Sequence, residues 1–337
     1  MEIEKIRAKR IETSACIGVF SASSPISATV PVRYERGKAF LESKGFKVKN
    51  GLLYGKQDAY RSGSIKERAE EFNNLLYDDE INVIMSSIGG FVTNSILPYI
   101  DYNYLKKHPK IIIGYSDTTA LLLAIYQKTG LVTFYGPALA ASFGEFPPFV
   151  DFTYDRFKEM LCGDIIVPYS FSVPPMWTDE FISWSEQKDS KKGRDNSWIC
   201  VNKGECRGRL IGGNLNTMYG IFGTKYMPDI KEGDILFIED SLKNSATIER
   251  SFSLLKLAGV FDKVSGIILG KHELFDDEGS GKKPYEILLE VLDGAKIPLL
   301  ADFDCCHTHP MLTMPIGCNV ELNATEKRVT LLEKPVI

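Results

Sequence analysis

The chain has 337 residues, 44% hydrophobic, 25% charged and 11% aromatic, with Gly and Pro near ordinary usage; this excludes disorder, collagen and coiled coil and leaves one large domain or two of common size. No fixed-period repeat is visible, which argues against solenoids and propellers. Forty Lys+Arg against 44 Asp+Glu give a formal charge of -4, which offers no general attraction to a polyanion, so nucleic acid is not an expected partner. The stretch from Met1 to Arg10 alternates charge where a secretory signal needs an apolar core, and no apolar run reaches the roughly 20 residues of a membrane span. A cytoplasmic protein with no membrane partner is therefore expected. The cysteines are odd in number, 7, and irregularly spaced, so no structural disulfide is expected.

From about Ile11 to Leu161, short apolar runs alternate with helical stretches, the signature of βαβ units and a largely parallel sheet. Cys16 to Phe20 reads as the first strand and leads into a Ser/Pro-rich loop, Ser21 to Pro25. A helix is expected over Val32 to Lys44 and a short strand over Phe46 to Lys49. Ser64, with Glu67 three residues on, has capping-box spacing and opens a helix to about Tyr77. Asn82 to Met85 and Ile111 to Gly114 read as buried strands, the second followed by a helix from Asp117 to Lys128. Between Pro168 and Gly208 periodicity fails, and the aromatic content of this long connection favours a substrate-covering role. Beyond Arg209, strands are expected at Ile235 to Ile238, Gly266 to Leu269 and Val329 to Leu332, with a helix at Thr247 to Leu257, as in a second α/β or α+β domain.

The run Ile111-Ile112-Ile113-Gly114-Tyr115-Ser116-Asp117 puts a serine on a sharp strand-to-helix turn. Such a turn lifts the hydroxyl clear of the sheet and aims the first helical N–H groups at a developing anion, which is what acyl transfer requires. Thr118 replaces the second Gly of G-x-S-x-G, and a serine in this place also serves as an ordinary N-cap. A serine nucleophile needs a base, and of the four histidines His108 and His272 read as surface groups, which leaves His307 or His309. The carboxylate that orients the base is expected at the end of the strand Ile235 to Ile238, where Glu239 and Asp240 are equal candidates. Ser87-Ile88-Gly89-Gly90 closes another strand with paired glycines that let backbone N–H groups approach a ligand. Cys305, Cys306, His307 and His309 are of zinc's ligand types, but structural zinc sites separate paired cysteines by roughly two to four residues; no metal and no cofactor are expected.

Taken together, Ser-Ile-Gly-Gly at 87–90, Gly-Tyr-Ser-Asp at 114–117, Gly-Arg-Leu-Ile-Gly-Gly-Asn-Leu-Asn-Thr at 208–217, Ile-Glu-Asp at 238–240 and the segment from His307 to Gly317 resemble the LD-carboxypeptidase family of serine peptidases. The resemblance implies an α/β protein: a Rossmann-like N-terminal domain (1–167) carrying the serine, an aromatic substrate loop (168–208) and a β-rich C-terminal domain (209–337) carrying Glu and His. The site would lie in the cleft between the two domains. It further implies Ser116 as nucleophile, Glu239 as carboxylate, His307 as base, and the amides of Gly90 and Asp117 as oxyanion hole. Cys306 and His309 stand where the family often has a glycine and an acid. Trp177 to Trp184 and Trp198 to Gly204 resemble the aromatic loop of the microcin C immunity branch, which implies base stacking by Trp184 or Trp177. The implied activity is that of a carboxypeptidase-like amidase, homodimeric, cleaving aminoacyl- or peptidyl-nucleotides of the microcin C kind. The alternative substrate is a muropeptide, cut by an LD-carboxypeptidase in cell-wall recycling.

Overall fold

The computed structural model describes residues 4–163 and 165–337; the first three residues of the charged N-terminal stretch lie outside it. Five parallel strands form the first sheet: β1 (Cys16–Phe20), β2 (Lys47–Asn50), β3 (Ile81–Ser86), β4 (Ile111–Gly114) and β5 (Thr133–Tyr135). The runs of β1, β3, β4 and β5 are almost wholly buried, as the inner strands of a parallel sheet require, whereas the edge strand β2 exposes Lys47 and Lys49. The helix Ile65–Tyr77 opens on a complete capping box, with the Glu67 amide donating to Ser64 Oγ at 3.3 Å and the Ser64 amide to Glu67 Oε2 at 2.9 Å. The helix expected from Asp117 begins at Thr119, because residues 116–118 form one tight 3-10 turn.

The remaining strands are β6 (Tyr169–Ser170), β7 (Met176–Trp177), β8 (Arg194–Asp195), β9 (Ile199–Asn202), β10 (Glu205–Asn214), β11 (Ile235–Glu239), β12 (Gly266–Gly270), β13 (Leu299–Phe303), β14 (Met314–Ile316), β15 (Asn319–Asn323) and β16 (Arg328–Leu331). An eight-stranded mixed sheet runs in the order β6-β16-β15-β10-β11-β12-β13-β9, with β10 to β13 parallel. The stretch from Pro168 to Gly208 is thus more ordered than its lack of periodicity implied. It holds β6 to β9 and the start of β10, runs mostly too short to show a period. Strand β14 leaves the C-terminal half altogether and pairs antiparallel with β5, so the first sheet reads β14-β5-β4-β3-β1-β2.

This order places a topological switch between β1 and β3, and the loops after β1, β3 and β4 share the crevice beyond their carboxyl ends, where α/β sheets bind ligands. The carboxyl ends of β10 to β13 face the same crevice from the other side. No helix among the described residues is long and apolar enough to cross a membrane. Replacing Ser64 by Ala removes one side of the capping box and is expected to lower stability by about 1 kcal/mol, read as an earlier midpoint in urea unfolding; an unchanged midpoint would show that the cap carries no stability.

Candidate active site

Ser116 follows the buried strand β4 and sits at φ +58, the left-handed region that non-glycine residues rarely occupy. Three bonds hold this strained turn. The Ser116 amide donates to the Tyr135 hydroxyl at 3.2 Å, and the buried Asp117 carboxylate accepts from the amide and hydroxyl of Thr93 at 2.9 and 2.8 Å. The loop after β3 comes in so close that a Cβ on Gly89 would lie 2.8 Å from Ser116 Oγ and 3.2 Å from the Asp117 amide nitrogen. Gly90, at φ +146, packs its backbone against Ser23 and Ser24 of the loop after β1. The paired glycines are therefore required by close approach, beyond what a turn alone would need.

From the second sheet, β11 ends in Glu239, which is 1% exposed. Its carboxylate accepts from Tyr135 Oη, from Asn214 Nδ2 at 2.9 Å and from His307 Nδ1 at 2.7 Å. The two acids differ in their partners. Asp240 has no bond to His307; it accepts from the amides of Asn216 and Ser241 at 3.1 and 3.0 Å and from Asn214 Nδ2 at 3.4 Å, with Lys243 Nζ 3.5 Å from it. Burial raises the cost of ionising Glu239, but the charge and hydrogen bond of His307, with the hydrogen bonds of Tyr135 and Asn214, hold its pKa below the ordinary value. Burial likewise opposes the charged form of His307, and Glu239, assisted by Glu273 and Asp240, outweighs it and raises the imidazole pKa. With Nδ1–H directed at Glu239, Nε2 presents its lone pair to the cleft.

His309 belongs to a different constellation. Its backbone pairs with Thr178, at 2.8 and 3.0 Å, which ties the aromatic loop to the C-terminal half. Its Nε2 stands 3.6 Å from Glu145, a buried carboxylate shared with Arg33 at 3.1 Å and Lys191 at 3.5 Å. Burial, with Lys191 nearby, pushes His309 down to about 3, whereas His309, Arg33 and Lys191 overcome burial to hold Glu145 at about 2. Arg33 also donates to the carbonyls of Ala140 and Ala141, both at 2.9 Å, and to Gln187, and its guanidinium lies 4.5 Å from the centre of the Trp184 ring.

Ser116, His307, His309 and Trp184 line one cleft of about 380 Å³, together with Ser24, Gly89, Gly90 and Lys191. Trp177 does not reach it. That ring lines a separate pocket with Lys271, His272 and Tyr285, under the guanidinium of Arg194 at 4.3 Å. Trp198 is buried in the body and donates its indole N–H to Asp304 at 2.8 Å. His272, expected at the surface, is largely buried, accepts from the Lys243 amide at 3.2 Å and is pushed by burial to about 3. Cys305 and Cys306 are buried, and among the described residues no group of His, Cys, Asp and Glu is arranged to hold a metal.

Sequence reasoning missed Tyr135, Asn214 and Glu145. Asn214 lies inside the Gly-Gly-Asn segment that resembles the family, so its signal was present but unassigned. Tyr135 ends a three-residue strand, too short for any pattern, and the partners of Glu145 are spread from residue 33 to residue 309.

A strained serine and a carboxylate-paired imidazole on facing sheet edges make the arrangement of a serine hydrolase. Residues 17–136 match the N-terminal domain of LD-carboxypeptidases and residues 207–322 the C-terminal domain. The chain belongs to the LD-carboxypeptidase family of serine peptidases and, within it, to the microcin C immunity branch. It is 56% identical over 320 residues to the microcin C7 self-immunity protein MccF of Escherichia coli, covering 94% of this chain and 93% of that protein. A putative carboxypeptidase of Vibrio cholerae is 54% identical over 310 residues, 92% of each. A solved structure of MccF in complex with aspartyl sulfamoyl adenosine superposes with a TM-score of 0.96 at 53% identity, covering 98% of this chain and 100% of that one.

The paired imidazole has a measurable signature. In a histidine NMR titration, His307 is expected to titrate above the ordinary 6.5 because its folded charged form is favoured, while His309 and His272, held near about 3, stay neutral across neutral pH. Glu239→Gln should bring the His307 inflection down; an inflection that stays in place would remove Glu239 as its cause.

Proposed function

We propose that Ser116, His307 and Glu239 form a nucleophilic triad that cleaves the acyl link of aminoacyl- or peptidyl-nucleotides of the microcin C kind, so detoxifying them. The observation that carries this reading is the 2.7 Å bond from His307 Nδ1 to Glu239 Oε2 in the cleft lined by Ser116. In it, His307 Nε2 takes the Ser116 hydroxyl proton as Oγ attacks the scissile carbonyl. The Gly90 and Asp117 amides serve the resulting oxyanion. Collapse of this intermediate breaks the C–N bond and returns the proton from His307 to the leaving nitrogen. Water, deprotonated by His307, then releases the acyl group from Ser116, and Glu239 stays ionised throughout. No cofactor enters the scheme.

The similarity to a protein solved with aspartyl sulfamoyl adenosine supports the nucleotide class of substrate. Trp184, on the cleft wall and backed by Arg33, is the stacking platform for the base, whereas Trp177, in the neighbouring pocket, is not required in this scheme. We place the enzyme in the cytoplasm as a homodimer. The same triad would serve removal of a terminal D-alanine from a muropeptide, the reading favoured by the family match itself.

A single digest followed by mass spectrometry separates these substrates. Wild type is expected to release free amino acid and sulfamoyl-adenosine from an aminoacyl-sulfamoyl-adenosine, and Ser116→Ala to release neither. Loss of D-alanine from a muropeptide tetrapeptide in the same tube, with the nucleoside conjugate intact, would transfer the enzyme to cell-wall recycling. Trp184→Ala should weaken kcat/KM on the nucleoside substrate by about 1–3 kcal/mol, the usual worth of a base stack, and leave muropeptide turnover, if any, less affected; equal loss on both substrates would exclude stacking.

A further inference from the structure

The charged groups lining the Ser116 cleft are almost all engaged with protein partners. Lys191 lies 3.5 Å from Glu145. Lys243 bonds the Ser241 carbonyl at 2.9 Å and stands 3.5 Å from Asp240. Asp240 is taken up by Lys243, by two backbone amides and by Asn214 Nδ2 at 3.4 Å. Glu273 is the exception. Its carboxylate has no hydrogen bond or salt bridge among the described residues, although it is largely removed from water and borders the cleft with Ser116 and His307.

Its position is nevertheless fixed. Glu273 stands three residues beyond β12, and its backbone pairs with Ser241 and accepts from the Leu242 amide at 2.9 Å, so it is anchored to the segment that follows Glu239. Burial outweighs the nearby His307 and Lys191 charges and raises its pKa. A half-buried carboxylate without a donor is an energetic cost that a substrate cation would relieve, since buried charges are normally paired. Of the acids in the cleft wall, only this one is free to accept such a cation. Glu239 lies behind His307 and is already three-fold bonded.

We propose that Glu273 is the docking group for a primary ammonium on the acyl half of the substrate, and thereby a specificity residue for aminoacyl over N-blocked substrates. The inference rests on the nucleotide reading above and narrows it. In an aminoacyl conjugate the α-ammonium is two bonds from the scissile carbonyl, so the attacking Ser116 Oγ brings it into the group of charges around His307. Two sources carry this chemistry: the α-ammonium, and the side-chain ammonium of a residue such as lysine. A peptidyl or N-acylated substrate lacks the first.

The test compares alanyl-sulfamoyl-adenosine with propionyl-sulfamoyl-adenosine, which differ by the amine alone, on wild type and on Glu273→Gln. Wild type is expected to favour the alanyl compound by about tenfold or more in kcat/KM, mostly through KM, because a site built to pair a substrate N–H discriminates strongly against its absence. In Glu273→Gln the alanyl-to-propionyl ratio should collapse towards unity. The ratio is blind to a general folding defect, which would lower both rates alike. An equal rate on both compounds in wild type would overturn docking of the α-ammonium, and an unchanged ratio in the variant would overturn the role of Glu273. A third compound, 6-aminohexanoyl-sulfamoyl-adenosine, whose only amine is distal, separates the sources: a preference for it that Glu273→Gln abolishes, with none for the alanyl compound, moves the docked cation from the α-position to the side chain. Cleavage of no nucleoside conjugate by wild type would refute the nucleotide reading, and this inference with it.

Discussion

Glu239 is a carboxylate almost wholly withdrawn from water at the seam between two sheets, and an ion so placed is tolerable only if every lone pair finds a donor. Its three donors come from separate stretches of chain: Tyr135 from the first sheet, Asn214 from the end of β10, and His307 from the loop after β13. Satisfying this one charge brings the halves of the molecule into register. The tyrosine that serves the carboxylate also accepts the Ser116 amide, so the electrostatics of the acid and the strain of the elbow are joined through a single hydroxyl.

A second buried ionic group, built on Glu145 and Arg33, does for the aromatic loop what Glu239 does for the sheets. Arg33 fixes two backbone carbonyls of the first half, pairs with Glu145 and lies against Trp184. Breaking such a buried pair by removing one partner leaves an uncompensated charge, at a typical cost of about 3–5 kcal/mol. The loop is thereby held to the body through interactions as costly to break as core packing, although almost none of its residues lies in a long regular element.

The parts of the fold that were legible in the sequence are those that repeat or punctuate. The Ile111 to Gly114 run, the Ser64 and Glu67 capping pair and the strand ending at Glu239 each announced themselves by local pattern. Strands β6 to β9 did not, because two to four residues contain no period. The choice of β14 as a partner for β5 was also hidden, since pairing across the two halves is decided by tertiary fit. At the site, residue type and position narrowed the base to two histidines and the carboxylate to two acids. Only the family resemblance chose His307 and Glu239 in advance. What separates the pairs in space is a set of partners that a linear sequence does not hold: Glu239 bonds His307, Asp240 is taken up by the amides of Asn216 and Ser241, and His309 stands beside Glu145.

The excursion of Met314–Ile316 into the first sheet means that the polypeptide passes from one half to the other, returns, and crosses again before its end. The halves are laced together, so cutting the chain between them would take β14 out of the first sheet. A hinge that opened them would have to peel β14 from β5 while pulling Tyr135 away from Glu239. The cleft is thereby braced against opening, and what it admits is set by the side chains of its wall, Trp184 and Lys191 among them, more than by the frame behind them.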